Sequence, residues 1–129
     1  MKKFPLLLSI GILYATSTVA FSQSAEEMVS NCKWISESKV SADQIEIPTD
    51  FHSGVCWGAF GTLQTAITVV PYSFPKEGPL LGVCAPEKST ESQLIRIFIA
   101  YTERHPEQLH KDYFFVAIAA LKEVFPCPK

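Results

Sequence analysis

Hydrophobic residues recur at helical spacing in four segments of the chain: residues 25 to about 38, 50 to about 69, 91–104 and 111–124. The last segment has the broadest apolar stripe, formed by Phe114, Ala117, Ile118, Leu121, Val124 and Phe125. No segment shows the strict alternation of apolar and polar residues that is typical of a half-buried strand. The pattern therefore predicts an all-α fold, a small bundle of four helices joined by short turns.

Local sequence signals mark the ends of these helices. Two segments begin with a capping box, in which a hydroxyl and a side chain three residues later each bond the backbone of the other residue. The two pairs are Ser24 with Glu27 and Thr90 with Gln93. Thr49 or Asp50 can cap the second helix. The third helix is expected to end near His105, because Pro106 disfavours helical backbone in the residue before it.

Three glycines, Gly54, Gly58 and Gly61, interrupt the second predicted helix. Each costs up to about 1 kcal/mol inside a helix. Gly54 and Gly58 lie on one face, with Gly61 beside them. We expect a smooth strip that another helix approaches closely, either within the monomer or across a two-fold axis. The alternative is that this segment is not a helix.

Residues 69–83 contain three prolines and two glycines, which rule out a helix. The segment is predicted to be a loop, and it carries two aromatic residues, Tyr72 and Phe74, followed by Lys76 and Glu77. Loops of this kind often carry function, so we expect these four residues to bind a partner. The alternative is a plain connector whose two rings pack into the core.

The N-terminus has the pattern of a secretory signal peptide. Two lysines precede an apolar run over residues 4–14, and small residues follow, with cleavage expected after Ala20 or Ser22. We therefore expect residues 1–22 to be the signal peptide and residues 23–129 to be a single helical domain, with no membrane segment after cleavage. The alternative is an uncleaved anchor, for which the apolar run is short, because a span needs about 17–25 residues.

The charge balance of the predicted mature chain is mildly acidic. Residues 1–22 hold two of the 11 basic residues and none of the 13 acidic ones, which leaves a net charge of about −4. Nucleic-acid binding needs a basic patch, so this class of partner is not expected.

The four cysteines, Cys32, Cys56, Cys84 and Cys127, predict two disulfides in a small exported domain. The rival interpretation is a metal site, but the sequence has no CxxC pair. Cys32 and Cys56 lie in successive helices that are expected to be antiparallel. Cys84 precedes the third helix and Cys127 follows the fourth, so the two ends meet in an antiparallel hairpin. We therefore predict the pairs Cys32–Cys56 and Cys84–Cys127.

The sequence shows no convergent set of catalytic residues. His52, His105 and His110 are candidate bases, and His105 and His110 could share a metal with Glu107, but their spacing does not place them on one helix face. No GxSxG motif positions a nucleophilic serine. We therefore expect a binding protein without cofactor, metal or enzymatic activity.

Several motifs in a fixed order resemble one known family. They are a cysteine among glycines (Gly54, Cys56, Gly58), Cys84-Ala85-Pro86, Gln93-Leu94, the turn from His105 to His110, and Phe125-Pro126-Cys127. Over residues 52–128 the chain resembles the Rap/Tai family of type VI secretion immunity proteins. The resemblance implies a disulfide-bonded helical protein in the periplasm of a Gram-negative bacterium. It also implies binding to an injected peptidoglycan amidase, and homodimers in many relatives.

The expected function is therefore that of a periplasmic immunity protein. Its proline-rich loop, with Tyr72, Phe74, Lys76 and Glu77, would occlude the cleft of the amidase effector. The alternative is a housekeeping periplasmic protein, for instance a chaperone resembling small helical acid-stress chaperones. Such chaperones depend on charge-rich surfaces, and this chain has only 19% charged residues, which argues against that alternative.

Overall fold

The computed structural model describes residues 22–38, 48–69, 71 and 79–128. Four α-helices lie in this part of the chain: α1 (Ala25–Glu37), α2 (Phe51–Thr68), α3 (Glu91–Arg104) and α4 (Tyr113–Val124). Two short 3₁₀ turns, Leu80–Gly82 and Pro106–Gln108, precede α3 and α4. The all-α prediction is confirmed, and the glycine-containing segment is a helix. The predicted signal peptide lies outside the described residues, apart from Ser22.

The caps explain where the helices begin. Ser24 and Glu27 form the predicted capping box of α1, and Asp50 caps α2 by accepting a hydrogen bond from the backbone of Ser53. At α3, Thr90 Oγ1 accepts from the backbone N–H of Gln93, 3.3 Å away. The last helix begins two residues later than predicted. Its N-cap is Asp112, whose carboxylate accepts from Phe114 N at 2.8 Å. This cap was not predicted from the sequence.

One apolar core holds all four helices together. Its largest fully buried side chains include Phe60 on α2 and Phe98 on α3, whose ring centroids are 5.4 Å apart. Met28 and Ile35 reach it from α1, and Leu121 reaches it from α4. Burial of each such side chain stabilises the fold by about 1.5–3 kcal/mol, so this cluster dominates the stability of the domain.

The prediction that α1 and α2 are antiparallel is wrong. Residues that meet across the two helices have numbers that rise together, so the helices run in the same general direction. The pairs are Asn31 with His52, Cys32 with Cys56, and Trp34 with Trp57. The segment between Ser38 and Asp50 is long enough to return along α1, since an extended chain spans up to about 3.3–3.6 Å per residue. As a result, the first turns of α1 and α2 lie at the same end of the molecule.

Both predicted disulfides are present. The Cα atoms are 5.2 Å apart in Cys32–Cys56 and 4.9 Å apart in Cys84–Cys127. The second bridge is reinforced by a backbone hydrogen bond of 3.0 Å from Cys84 N to Phe125 O. The C-terminal end of the chain, up to Pro128, is therefore fixed to the segment that leads into α3.

The third and fourth helices nevertheless do not form the simple antiparallel hairpin from which their bridge was predicted. Arg104, in the last turn of α3, makes a 2.7 Å ion pair with Glu123, in the last turn of α4. In a simple hairpin the last turn of α3 would instead face the first turn of α4. The cysteine pairing is therefore correct although the assumed helix directions are not.

Candidate interaction surface

The predicted partner-binding residues Tyr72, Phe74, Lys76 and Glu77 lie outside the described residues. The structure does describe both ends of their loop. Val69 ends α2, half exposed, with its N–H bonded to Thr65 O at 3.0 Å. On the return side, Leu81 and Gly82 both have left-handed backbone, with φ of 60° and 69°. Leu81 packs against the core, so both ends of the loop are fixed to the helical body.

A shallow cavity of about 360 Å³ lies at the start of this loop. Gln64, Thr68, Val69 and Glu87 line it. Gln64 spans the gap between α2 and the segment before α3, because its Nε2 donates to Ser89 O at 2.9 Å. The four residues that line this cavity combine polar and apolar side chains, and they do not include a nucleophile paired with a base.

The glycines of α2 do not have the packing role predicted within the monomer. A Cβ atom added at Gly54 or Gly58 would meet no atom of the described residues within 4 Å, so no described element covers that part of the strip. Only Gly61 permits a close approach, and the approaching group is a side chain: a Cβ there would lie 2.6 Å from Glu91 Oε1. Of the two alternatives for the strip, close approach by a helix of the same monomer is therefore not seen at Gly54 and Gly58 among the described residues, and the two-fold contact stays open.

Gly54 and Gly58 belong to what we call the outer face of α2. Its members are spaced three and four residues apart and so share one side of the helix. They are Phe51, Gly54, Gly58, Thr62, Thr65 and Val69. The hydroxyls of Thr62 and Thr65 donate to the carbonyls of Gly58 and Gly61 within the helix, at 2.9 and 3.0 Å. Since both hydroxyls are satisfied in this way, the outer face offers a partner mainly apolar surface.

The outer face is also uncharged. The 18 residues of α2, from Phe51 to Thr68, include no Asp, Glu, Lys or Arg, and the one titratable side chain that is not in a disulfide, His52, is not on the outer face. A solvated helix surface of a soluble protein normally carries charged residues. Phe51, at its first turn, has 78% of its surface exposed. An exposed apolar face of this length is typical of an interaction surface. The lack of Asp, Glu, Lys and Arg in α2 can be read from the sequence, and it could have identified the outer face as an interaction surface.

A second cavity, of about 270 Å³, lies where the first turns of α1 and α2 meet. Gln23, Glu27, Ser30, Asn31, Phe51 and His52 line it. Its most buried member is Asn31, which is only 8% exposed and has its Oδ1 atom 2.7 Å from His52 Nδ1. From the sequence, His52 was predicted only as a candidate base. Its contact with Asn31 depends on the direction of α1 relative to α2, which the sequence pattern does not show.

The histidine turn before α4 has a structural role. His105 Nδ1 lies 3.1 Å from Glu107 Oε1, and its ring lies 4.3 Å from the Tyr101 ring, centre to centre. The pKa of Glu107 is lowered, by a hydrogen bond from its own backbone and by the His105 contact. His110 is exposed. Within the described ranges, His, Cys, Asp and Glu side chains form no group of three that could hold a metal ion.

Comparison with protein-family models gives one match. The model of the Rap1a immunity proteins matches residues 24–127. The chain belongs to the Rap1a immunity protein family. The match begins at the N-cap of α1 and ends at the last cysteine, so it contains all four helices and both disulfides. No curated protein and no solved structure matches the chain significantly.

Membership of an immunity family directs attention to surfaces that bind another protein. Two surface features of the described residues are candidates for such a contact: the outer face of α2, and the cavity between the first turns of α1 and α2. Among the described residues, no helix is both long enough and apolar enough to cross a membrane.

Proposed function

We propose that this protein is a periplasmic immunity protein that binds a peptidoglycan amidase delivered by type VI secretion and so protects the cell that produces it. The observation that carries the proposal is the family match over residues 24–127. The signal-peptide pattern and the two disulfides support it, because disulfides persist in an oxidising compartment such as the periplasm. An amidase that attacks peptidoglycan would be met in that compartment.

The mode of action we propose is occlusion of the amidase cleft by the loop between Val69 and Leu80. Both ends of the loop are fixed to the helical body, as described above. Its prolines limit the conformational entropy lost on binding, and Tyr72 and Phe74 supply aromatic anchors of the kind that dominate binding energy at interfaces. Lys76 and Glu77 add charges at the rim, where they affect specificity more than affinity.

We further propose that the protein acts by binding and not by catalysis. All four cysteines are paired in disulfides, so a thiolate nucleophile is not available. Among the described residues, the histidines contact Asn31, Phe51, Tyr101 and Glu107, and none is hydrogen-bonded to a serine or threonine hydroxyl. An inhibitor of this kind needs no cofactor.

The outer face of α2 is the surface we propose for a homodimer. It is apolar and uncharged, and two bare glycines allow the helices of two copies to approach closely across a two-fold axis. Gly58→Glu would place a charge at its centre and is expected to convert the dimer to monomer in analytical ultracentrifugation. Ala119→Glu, on the exposed side of α4, is the matched control and should leave the mass unchanged.

The test of function is to search the genes beside the one for this chain for an amidase-like protein and to purify it. The exported, oxidised protein is expected to bind it tightly and to stop its hydrolysis of purified peptidoglycan. Replacing Tyr72 and Phe74 together with alanine should abolish inhibition, whereas Phe115→Ala, which removes a 70% exposed ring on α4, should not. Absence of binding by the wild-type protein, combined with protection of unrelated proteins from aggregation in acid, would favour the chaperone alternative.

A further inference from the structure

We propose that the cavity between the first turns of α1 and α2 receives an arginine side chain of the effector protein. This inference rests on the proposed function, because it names a second contact of the same complex. The cavity is lined by Gln23, Glu27, Ser30, Asn31, Phe51 and His52.

The size of the cavity suits a single side chain. Pockets that hold drug-sized molecules measure about 300–1,000 Å³, and this one is smaller, at about 270 Å³. It is open on one side and lies on the rim of the outer face of α2, since Phe51 belongs to both. A side chain that projects from a docked protein can therefore enter it without a change in the backbone of either helix.

The charge of the cavity favours a cation. Glu27 supplies a carboxylate, and no lysine or arginine is among the lining residues. That carboxylate is held in place, because its Oε2 atom accepts from the backbone N–H of Ser24 at 2.9 Å and from the Ser24 hydroxyl at 3.3 Å. Within the part of the chain that the structure describes, no donor reaches Glu27 Oε1, which can accept from a ligand.

The helix N-termini at this end of the molecule do not reverse that preference. A free helix N-terminus attracts anions, but here the N-terminal donors are already bonded within the chain. In the first turn of α1, the N–H groups of Ala25 and Glu26 donate to Lys111 O and Leu109 O at 2.7 and 3.0 Å. Glu27 accepts at the start of α1, and Asp50 accepts from the Ser53 hydroxyl and N–H at 2.7 and 3.1 Å at the start of α2. These two bonds hold the pKa of Asp50 below its ordinary value, so it stays ionised at neutral pH.

Asn31 and His52 supply a further acceptor. Because Asn31 Oδ1 can only accept, the 2.7 Å contact requires the proton of the neutral His52 ring to be on Nδ1. The other ring nitrogen, Nε2, then has a lone pair available to a donor. Asn31 is fixed by its burial, so it sets both the tautomer and the orientation of the exposed His52 ring.

The exposed ring of Phe51 favours arginine over lysine. A planar guanidinium stacks on an aromatic face and reaches two acceptors at once, whereas an ammonium group behaves as a compact point charge. The ring planes of Phe51 and His52 are 78° apart, with centroids 5.7 Å apart, and 78% of the Phe51 surface is exposed, so most of its ring is accessible to a ligand. Together the residues offer a carboxylate, a ring nitrogen and an aromatic face to one guanidinium.

Nuclear magnetic resonance with a small guanidinium probe tests the site directly. Titration of Nα-acetyl-arginine amide into the exported, oxidised protein should shift the His52 and Phe51 ring signals saturably. Glu27→Gln should weaken this binding about fivefold or more, since it removes the charge while an amide can still complete the capping box. Glu26→Gln, an exposed neighbour outside the cavity, should leave it unchanged. No saturable shift, equal binding by Glu27→Gln, or tighter binding of Nα-acetyl-glutamate amide would each overturn the proposal.

The complex with the amidase gives a second and separate readout. Glu27→Gln is expected to raise the dissociation constant by about tenfold, and Glu26→Gln is expected to leave it unaltered. Phe51 is not substituted in this test, because it also belongs to the outer face of α2. If the wild-type protein binds the amidase and Glu27→Gln binds it equally well, the cavity proposal fails while the immunity function stands. If the wild-type protein does not bind, the proposed function itself fails, and the probe titration still decides whether the cavity binds a cation.

Discussion

Individual glycines of this chain differ in what they do, although they look alike in the sequence. Gly58 faces open space on α2, Gly61 leaves room for the Glu91 carboxylate, and Gly82 has a left-handed φ of 69° in the turn before α3. Only the last of these positions needs glycine for its backbone conformation. The environment of each residue, and not its type, therefore decides what a substitution does.

Gly58→Ala is expected to raise the free energy of unfolding by about 0.5–1 kcal/mol, because alanine is the better helix former and its Cβ meets nothing within 4 Å. Gly82→Ala is the contrasting variant and should lower it by about 1–2 kcal/mol, the usual cost of left-handed backbone for a side-chain-bearing residue. Urea denaturation at protein concentrations that keep the chain monomeric measures both. A loss of stability in Gly58→Ala would mean that another group covers this face.

Glu91 is a second residue whose environment matters. Its Oε2 atom is buried beside Gly61 and has no hydrogen-bond partner among the described residues. Burial raises the pKa of the Glu91 carboxyl above the ordinary value of 4.5. The folded protein therefore holds this proton more tightly than the unfolded chain does. Stability contributed by the protonated form is present below pH 4.5 and is lost as the pH rises through the higher folded pKa.

Glu91→Gln is consequently expected to be more stable than the wild type at pH 7, with the difference shrinking as the pH falls toward 4.5. Denaturation of both proteins across pH 4 to 8 measures this, and the comparison isolates Glu91 because every other group is shared. Glu103→Gln, exposed on the same helix, is the control and should show no such trend. A difference between Glu91→Gln and the wild type that stays constant with pH would show that the ionised carboxylate is not penalised by its burial.

At the scale of the elements, the helices could be predicted from the sequence because their signals are local. Apolar spacing and hydroxyl caps placed α1, α2 and α3 to within about one residue. The start of α4 was missed because Asp112 was not recognised as its cap. The relative direction of α1 and α2 was also predicted incorrectly. A connection long enough to return along α1 permits either direction, and the apolar spacing within each helix is the same in both cases.

The two disulfides join these elements, and their loss should have different consequences. In the chain-entropy model, closing a loop of 43 residues stabilises by about 4 kcal/mol and a loop of 24 residues by about 3.5 kcal/mol. Replacing Cys84 and Cys127 together with alanine is therefore expected to cost about 4 kcal/mol. It should also expose the amide of residue 84 to hydrogen exchange, since that amide bonds Phe125 O beside the Cys84–Cys127 bridge.

The Cys32–Cys56 pair provides the matched comparison. Both sulfurs are fully buried, so alanine there also loses core packing, but the Cys84 amide should stay protected. Urea denaturation and amide exchange followed by mass spectrometry separate the two effects. If the amide of residue 84 loses protection from hydrogen exchange equally in both double variants, the Cys84–Cys127 bridge does not protect that amide locally.

At the scale of the whole molecule, the sequence indicated a binding protein, but it located the binding surfaces incompletely. The loop with Tyr72 and Phe74 remains a prediction. The outer face of α2 could have been inferred, because the 18 residues of this helix include no Asp, Glu, Lys or Arg. The cavity lined by Glu27 and His52 could not, because it forms only when the first turns of α1 and α2 lie at the same end, which is a property of the assembled fold.

Protection by the whole protein should depend on export. If the amidase is met in the periplasm, a chain that lacks residues 1–22 stays in the cytoplasm, where it does not reach the enzyme and where its cysteines are kept reduced. Cells that receive the amidase in the periplasm are expected to lyse with this truncated chain and to survive with the full one, as measured by colony counts. Attaching an unrelated export signal to residues 23–129 should restore survival, which separates a need for transport from a need for the N-terminal residues themselves. Survival with the cytoplasmic chain would contradict a periplasmic site of action, even if the purified protein inhibits the amidase.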